Sequence, residues 1–304
     1  MKSSRPSAVR LLLRDPVAVV CMGFLLLMLL AAVFGVHFTG YGYEQTSDLQ
    51  FAKPGFQHLC GTDIHGRDVL TRILFGARIS LAVGLIGALV SLVVGVGYGM
   101  LAGYLGGRVD GMMMRLVDIL YSLPRLIFVI VLITMLDQWT RQALGYWKLE
   151  TLAANTRIIL LFVGLGVVQW LTMARIVRGQ VLSLKEQPFV LAAQALGARK
   201  RRILLRHILP NLVGIIIVYL TLTIPEVILQ ESLLSFLGLG IQAPQSSWGS
   251  LISDGATVIN PVRIYWWLIG FPGLAMALTL LALNLLGDRL RDIFDPRTQK
   301  GARA

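Results

Sequence analysis

Residues 79–102 read ISLAVGLIGALVSLVVGVGYGMLA, an apolar run of 24 residues without a charged side chain. A helix needs about 20 such residues to cross the roughly 30 Å hydrocarbon core of a bilayer. Small residues recur at every fourth position of this run and just beyond it: Gly87, Ser91, Gly95, Gly99 and Gly103. Lipid supplies no hydrophobic force between helices, so helices associate where small residues let their backbones approach. We therefore predict a spanning helix with a second helix packed along this stripe.

Other apolar runs in the chain are also long enough to span a bilayer: Val17–Val36, Met112–Leu136, Ile158–Ala174, Leu212–Leu229 and Trp266–Leu286. Inside a bilayer a single segment satisfies its backbone polar groups only as a helix. The first run is longer than the apolar region of a signal peptide, about 7–15 residues, so we interpret it as a retained span. The fold class predicted is an all-α integral membrane protein with six transmembrane helices.

The charge of the chain is a topology signal. Charged residues make up 14% of the 304 residues, against about 25% in a soluble protein, and the net charge is +12. With the N-terminus inside, 19 of the 28 Lys and Arg residues fall on the inner side and 8 on the outer side, with Arg125 inside a span. Basic residues concentrate on the cytoplasmic side of membrane proteins. This distribution places both termini in the cytoplasm and argues against a nucleic-acid partner.

The spans divide the chain into segments. We predict a cytoplasmic tail over 1–16, the first span over 17–36, an outer segment over 37–78, a membrane core over 79–287 and a cytoplasmic tail over 288–304. The core contains an inner loop, 175–211, and an outer segment, 231–263, rich in Gly, Pro, Ser and Trp. Trp248, Trp266 and Trp267 suit anchoring at the membrane interface.

The inner loop has the signals of a short helix followed by a turn. Pro188 suits a first helical turn, Phe189–Leu196 can form the helix, and Gly197 suits its C-terminal cap. The basic stretch Arg199–Arg202 leads into a second apolar helix punctuated by Pro210. One interpretation is an amphipathic helix on the lipid headgroups. The other is a helix offered to a groove on a partner protein.

At this loop the sequence resembles the permease subunits of ATP-binding-cassette importers. Their cytoplasmic signature is matched by Leu191-Ala192-Ala193, Gly197 and Leu209-Pro210, with Leu191 in the position that usually holds glutamate. Further matches point to the dipeptide, oligopeptide and nickel branch, and within it to the C-type oligopeptide permeases: Gly61–Asp63, Gly66–Leu70, Gly76–Leu81, Gly103–Gly107, Met114–Ile119, Ala174–Gly179, Ser235–Gly240, Trp248–Gly249, Gly287–Asp288, Leu290–Asp292 and Asp295–Pro296.

The resemblance implies a type I importer permease fold in the inner membrane, with cytoplasmic docking helices and an outer scoop over 231–263. It implies a second permease subunit, two cytoplasmic ATPase subunits, a periplasmic binding protein and a peptide substrate. ATP and Mg would be bound by the ATPases, which agrees with the absence of a phosphate-loop motif from this sequence. The docking residues implied are Phe189, Leu191, Ala192, Ala193, Leu196, Gly197, Leu209 and Pro210.

Ionisable residues at membrane depth are rare and mark functional sites by default. Asp118 and Arg125 are seven residues apart, which would place them on one face of the third span. Glu226 and Glu231 lie toward the outer end of the fifth span. We interpret these four residues as candidates for the translocation path or its gate; the alternative is an ion pair or hydrogen bond with the second permease.

Other functions fit the sequence less well. Dipeptides, nickel chelates or antimicrobial peptides remain alternative solutes for the same machinery. A secondary transporter would need internal repeats and ion ligands at mid-membrane. A membrane enzyme would need a reactive constellation, and the two cysteines and four histidines form none by their spacing. We therefore expect a non-catalytic subunit that holds no cofactor or metal of its own.

Overall fold

The computed structural model of the protein describes residues 8–146, 156–241, 245–259 and 263–294. The described residues form helices joined by loops, with a π-helical turn at Leu204–Ile208. In chain order the helices are α1 (Ala8–Leu12), α2 (Pro16–Phe38), α3 (Val69–Leu105), α4 (Gly107–Ser122), α5 (Arg125–Tyr146), α6 (Thr156–Lys185), α7 (Pro188–Ala195), α8 (Lys200–Ile203), α9 (Leu209–Phe236), α10 (Trp248–Thr257) and α11 (Trp267–Phe294).

Six helical stretches of the described chain are long and apolar enough to cross a membrane. They are Pro16–Gly35, Val69–Leu105, Arg125–Leu144, Ile159–Lys185, Lys200–Phe236 and Trp267–Phe294. The predicted all-α fold with six spans is therefore confirmed. Residues 1–7 and 295–304 of the predicted tails lie outside the described residues, and so do 242–244 and 260–262 of the predicted outer scoop.

The third span is not the continuous helix predicted over Met112–Leu136. It is divided into α4 and α5 by Leu123, whose φ of −77° and ψ of 139° are extended. The ring of Pro124 disfavours the helical conformation in the residue before it, and this explains the break. Of the two helices only α5 is among the spanning stretches, over Arg125–Leu144, so the predicted span wrongly included part of α4, which carries Arg115 and Asp118.

Two other spans begin or end beyond the predicted limits. α3 begins at Val69, so residues 69–78, the last ten of the predicted outer segment, are helical. Asp68 caps it, with Oδ2 accepting from the Thr71 amide at 2.8 Å and from the Thr71 hydroxyl at 2.7 Å. At the opposite end α6 runs on to Lys185, ten residues beyond the predicted start of the inner loop at Arg175.

The sequence pattern indicated that Pro210 separates a helix from the fifth span, but the structure shows no such separation. α8, the π-turn and α9 run on as one helical stretch, Lys200–Phe236. Pro210 has no amide hydrogen and its ring crowds the carbonyl of Arg206, four residues earlier. The π-turn widens the helix just before this point, and the Leu209 amide donates to the carbonyl of Leu204, five residues back. The proline is thereby accommodated without a chain break.

The small-residue stripe of α3 packs against α6, as predicted. A Cβ placed on Gly95 would lie 2.6 Å from Cβ of Met173, and one on Gly99 would lie 2.5 Å from the Ala174 carbonyl oxygen. Real Cβ atoms do not approach so closely, so only glycine allows this packing. Toward the outer side the stripe also meets α9, where a Cβ on Gly87 would lie 2.8 Å from Val227 Cγ1. α3 and α6 run in the same direction, with later residues of one helix against later residues of the other.

Two apolar clusters close the ends of the bundle. The inner cluster packs Val190 and Ala193 of α7 against Val177, Val181 and Ile203. The outer cluster joins the start of α3 to α10 and α11, and its buried members include Val69, Ile73, Ala77, Trp248, Leu251 and Trp267.

Of the three tryptophans predicted as interfacial anchors, two are buried and one is exposed. Trp248 and Trp267 are buried, and their indole nitrogens donate to the carbonyls of Ile73 and Thr62. They are packing residues, so their predicted role as interfacial anchors is wrong; Trp266 is exposed.

Candidate functional site

The short helix α7 is held rigidly on the inner end of the bundle. Its end is fixed by Gly197, which has a φ of +72°. The Ala198 amide donates to the Ala193 carbonyl at 3.1 Å and the Gly197 amide to the Gln194 carbonyl at 2.9 Å. This pair of bonds is the Schellman cap, which a non-glycine residue at position 197 would strain.

α7 has an inner face and an outer face. Val190 and Ala193 face the inner cluster and are buried. Phe189 and Ala192 are exposed, Leu191 is 51% exposed and Leu196 is 88% exposed. The residues expected to form a docking surface are thus divided between the two faces.

Among the predicted docking residues of α7, Ala193 points inward and anchors the helix. Leu209 is partly buried against the inner cluster, and Pro210 is exposed.

Basic residues surround the outer face of α7. A hollow of about 970 Å³ lies between Leu196, Gly197 and the start of the long α8–α9 stretch. Its basic lining residues are Arg199, Arg201, Arg202 and Arg206, all of them exposed. The inner end therefore presents exposed leucines bordered by positive charge.

A row of ionic groups, which we call the polar ladder, runs up from the inner end between α4 and α6. Arg178 donates to both carboxylate oxygens of Asp110, each at 2.6 Å. Further along, Arg175 Nη2 donates to Asp118 Oδ1 at 2.7 Å. Both acids belong to α4 and both arginines to α6, so the ion pairs join these helices.

The ladder continues across Tyr121 to the fifth span. The guanidinium of Arg175 lies 4.2 Å from the centre of the Tyr121 ring, and that of Arg125 lies 4.9 Å from it. Arg125 Nη1 then donates to Glu226 Oε1 at 2.8 Å, which joins α5 to α9. Asp118 and Arg125 are not on one helix face as predicted, because the break at Leu123 separates them; each has a different ionic partner.

The outer end of the ladder lies among the spanning helices, level with the centre of α3. Val227, the residue after Glu226, packs on Gly87, the central residue of α3. The side chains of Arg125 and Glu226 are 34% and 45% exposed. Charged groups at this depth face water or protein rather than hydrocarbon, because leaving them in lipid costs several kcal/mol. The exposed side of the ladder is therefore a water-filled or protein-covered surface.

Glu231, the fourth candidate, is placed differently. It is fully buried at the junction of α9 and α10. Its Oε1 accepts from the hydroxyls of Ser235 at 2.6 Å and Ser247 at 2.7 Å, while Oε2 has no hydrogen-bond partner among the residues that the structure describes. Ser247 is the N-cap of α10, so Glu231 ties that outer helix to the fifth span.

A second ionic cluster, absent from our predicted site residues, orders the outer segment. Asp63 Oδ1 accepts from the amides of His65 and Arg67, and its Oδ2 from the side chains of Arg67 and Arg72, at 2.7–2.9 Å. Arg72 also reaches Asp254 on α10 at 3.2 Å.

The charge of Asp63 is stabilised by these partners. Burial alone raises the pKa of Asp63, but the Arg67 amide and the charges of Arg72 and Arg67 outweigh it and hold the pKa below the ordinary value of 3.8. A cavity of about 480 Å³ lies beside the cluster, lined by Asp63, Arg72, Asp254 and other residues. The only hint in the sequence was the proximity of opposite charges over residues 63–72.

Comparison with known proteins fits this architecture. Residues 95–300 match the family model described as binding-protein-dependent transport system inner membrane component. Residues 7–54 match the N-terminal TM domain of oligopeptide transport permease C. The first match covers more than half of the chain. The chain therefore belongs to the family of binding-protein-dependent transport system inner membrane components, the permease subunits of ATP-binding-cassette importers, and it is a multi-pass membrane protein.

Individual relatives are similar over nearly the whole chain. The chain is 42% identical to the oligopeptide transport system permease protein OppC of Haemophilus influenzae, over 95% of this chain and 88% of the relative. It is 44% identical to OppC of Escherichia coli strain K12, over 95% and 89% respectively. It is also 42% identical to the dipeptide transport system permease protein DppC of Bacillus subtilis, over 96% and 85%.

Proposed function

We propose that this chain is the C-type permease subunit of an ATP-driven importer that carries peptides, with oligopeptides as the main class. The similarity to oligopeptide permeases over 95% of the chain supports the substrate class. The observation that carries the coupling mechanism is the two-faced helix α7, with Val190 locked into the bundle and Leu191 and Leu196 exposed. A helix with this arrangement can transmit force from a protein bound to its outer face.

The partner on that face is proposed to be an ATPase subunit. Exposed leucines on an aqueous loop favour a protein interface, and the surrounding arginines favour an acidic rim on the partner. The complete importer would contain a second permease, two such ATPases and a periplasmic binding protein. This subunit would carry out no catalysis, and ATP and Mg would be bound by the ATPases alone.

The transport cycle proposed is alternating access. Closure of the ATPases on ATP moves α7, and the inner cluster passes this motion to α6 and, through the close-packed stripe, to α3. The spans then rock so that the space between the two permeases opens outward and receives the peptide. Hydrolysis of ATP returns the spans to the inward-open arrangement.

The location proposed is the inner membrane, with both termini in the cytoplasm. The excess of Lys and Arg on the side of α7 and α8 supports this orientation. The outer segment over 37–68 and helix α10 would then face the periplasm, where the binding protein delivers its ligand. The exposed side of the polar ladder would face the path between the permeases, because an ionic surface at this depth requires water or protein.

Uptake by the complete transporter tests this proposal. The chain is co-purified with its partner permease, ATPases and binding protein and reconstituted in proteoliposomes. Import of labelled di-, tetra- and hexapeptides is measured with ATP inside or outside the vesicles, with a nickel chelate as the alternative solute. ATP-dependent import of tetra- and hexapeptides supports the proposal, and a preference for dipeptides would favour the second solute class. Import driven by an ion gradient without ATP would refute it.

A further inference from the structure

The ion pair between Arg125 and Glu226 differs in position from the other two ion pairs of the polar ladder, which join α4 to α6. It joins two spans, α5 and α9, level with the centre of α3. Like the Arg175–Asp118 pair it is made through one hydrogen bond, whereas Asp110 is only 10% exposed and is held by two bonds to Arg178. Both side chains of the Arg125–Glu226 pair remain accessible while they are paired. A charged molecule beside the pair can therefore contact either group without disrupting the helices.

Each member of the pair also has a polar neighbour of its own. The Tyr121 hydroxyl accepts from Arg125 Nη2 at 2.5 Å, and its ring lies beside the guanidinium. On the other side Gln230 Nε2 lies 3.5 Å from Glu226 Oε1. Each group thus keeps a polar neighbour when the pair is broken.

A peptide with free termini carries one carboxylate and one ammonium group. Moving either charge through the middle of a membrane without a counter-charge is costly. A preformed pair of opposite charges removes that cost by exchange, because one ion pair is broken and two are formed. A guanidinium suits a carboxylate through two parallel hydrogen bonds, and a carboxylate suits an ammonium. The three acids and three arginines of the ladder sum to zero charge, as do the termini of the peptide.

We propose that Arg125 and Glu226 are the substrate-binding residues of the path that recognise peptide termini: Arg125 binds the terminal carboxylate and Glu226 the terminal ammonium as the two residues release each other. This inference rests on the proposed peptide import and specifies the chemistry the path selects. The selection is independent of the peptide side chains, as an importer of mixed sequences requires.

The test uses the complete reconstituted transporter and one tetrapeptide in four forms: unmodified, N-acetylated, C-amidated and blocked at both ends. Each variant's import rate is divided by the wild-type rate for the same peptide form, so the preference of the binding protein cancels. Glu226→Gln should lower import of the two forms with a free amine about tenfold, the factor expected for loss of a hydrogen bond to a charged group. It should leave the import rates of the N-acetylated and doubly blocked forms little changed. Arg125→Gln should show the corresponding loss for the two forms with a free carboxylate only.

The matched control is Arg289→Gln. Arg289 is 40% exposed and pairs with Asp15 at 3.4 Å, outside the ladder, so its loss should affect all four forms equally. The charge-preserving variants Glu226→Asp and Arg125→Lys serve if the first variants do not assemble, and they should keep the wild-type order of the four forms.

The inference is overturned if Glu226→Gln and Arg125→Gln reduce all four forms by the same factor, since that is the result of a purely structural ion pair. It is also overturned if neither variant changes import of any form. Failure of the underlying function is distinguishable, because the unmutated transporter would then import none of the four peptides.

Discussion

Truncation of single side chains on α7 separates its two faces. Complete burial of a leucine side chain contributes about 1.5–3 kcal/mol. Leu196 is 88% exposed in the isolated subunit, so nearly all of this energy is available on docking, and Leu196→Ala should weaken ATPase binding by about 2 kcal/mol. Leu191 is 51% exposed and has about half as much area left to bury. Leu191→Ala should therefore cost about 1 kcal/mol, roughly a fivefold weaker affinity.

The matched control on the same helix is Val190→Ala. Val190 is fully buried in the inner cluster and makes no exposed surface. Its truncation leaves a cavity and should lower the free energy of unfolding of the subunit by about 2 kcal/mol. The affinity for the ATPase should be unchanged in the protein that remains folded.

Affinity is measured as retention of the ATPase on nanodisc-embedded permease over a series of salt concentrations. An apolar contact persists at high salt, whereas contacts through the exposed arginines weaken because ions screen them. Equal affinity losses for Val190→Ala and Leu196→Ala would refute the assignment of the outer face. So would a Leu196→Ala variant that binds the ATPase as tightly as the wild type.

Further predictions concern the close-packed seam between α3 and α6, the membrane topology and the outer segment. Gly99→Leu should prevent α3 and α6 from packing and lower the melting temperature of the subunit. Gly97→Leu is the control and should be tolerated, because a Cβ on Gly97 meets nothing within 4 Å. Similar melting temperatures for the two variants would contradict the packing. A reporter fused after residue 304 should read cytoplasm and one inserted at Gln57 should read exterior, and the same compartment at both sites would reverse the topology. Because the pKa of Asp63 is held below 3.8, its charge stabilises the outer segment at neutral pH, and this stability is lost as the pH falls through the lowered pKa. Hydrogen exchange over 37–68, corrected for intrinsic rates, should therefore accelerate below about pH 4 in the wild type. In Asp63→Asn the exchange should be fast at every pH. A wild-type exchange rate that does not depend on pH would count against the ionic cluster.

The sequence predicts features that depend on local composition. The spans follow from apolar runs of sufficient length, and the close packing of α3 follows from its four-residue repeat of small side chains. The cap at Gly197 follows from glycine's access to positive φ. The position of the π-turn does not follow, because a proline near a helix start is compatible with a new helix or with a widened turn.

Pairings between distant residues were beyond sequence reasoning. Arg175 and Asp118 are 57 residues apart, and Arg125 and Glu226 are 101 apart. Ala193 was expected on the docking face but is buried in the inner cluster, and the sequence could not show this because α7 is apolar on nearly every side and its eight residues give no clear period. Which face of such a helix turns inward is decided by the cluster that receives it.

The seam between α3 and α6 has a mechanical consequence. Backbones in contact leave no flexible side chains to absorb displacement, so the two helices tilt as one rod. With 37 residues, α3 is about 55 Å long, and a tilt of about 10° around its centre moves each end by roughly 5 Å in opposite directions. In such a tilt the displacement would be smallest at the central residue, Gly87, on which Val227, the residue after Glu226, packs. The Arg125–Glu226 pair would then move least, while Arg72 at the outer end and the inner anchor of α7 would move the most.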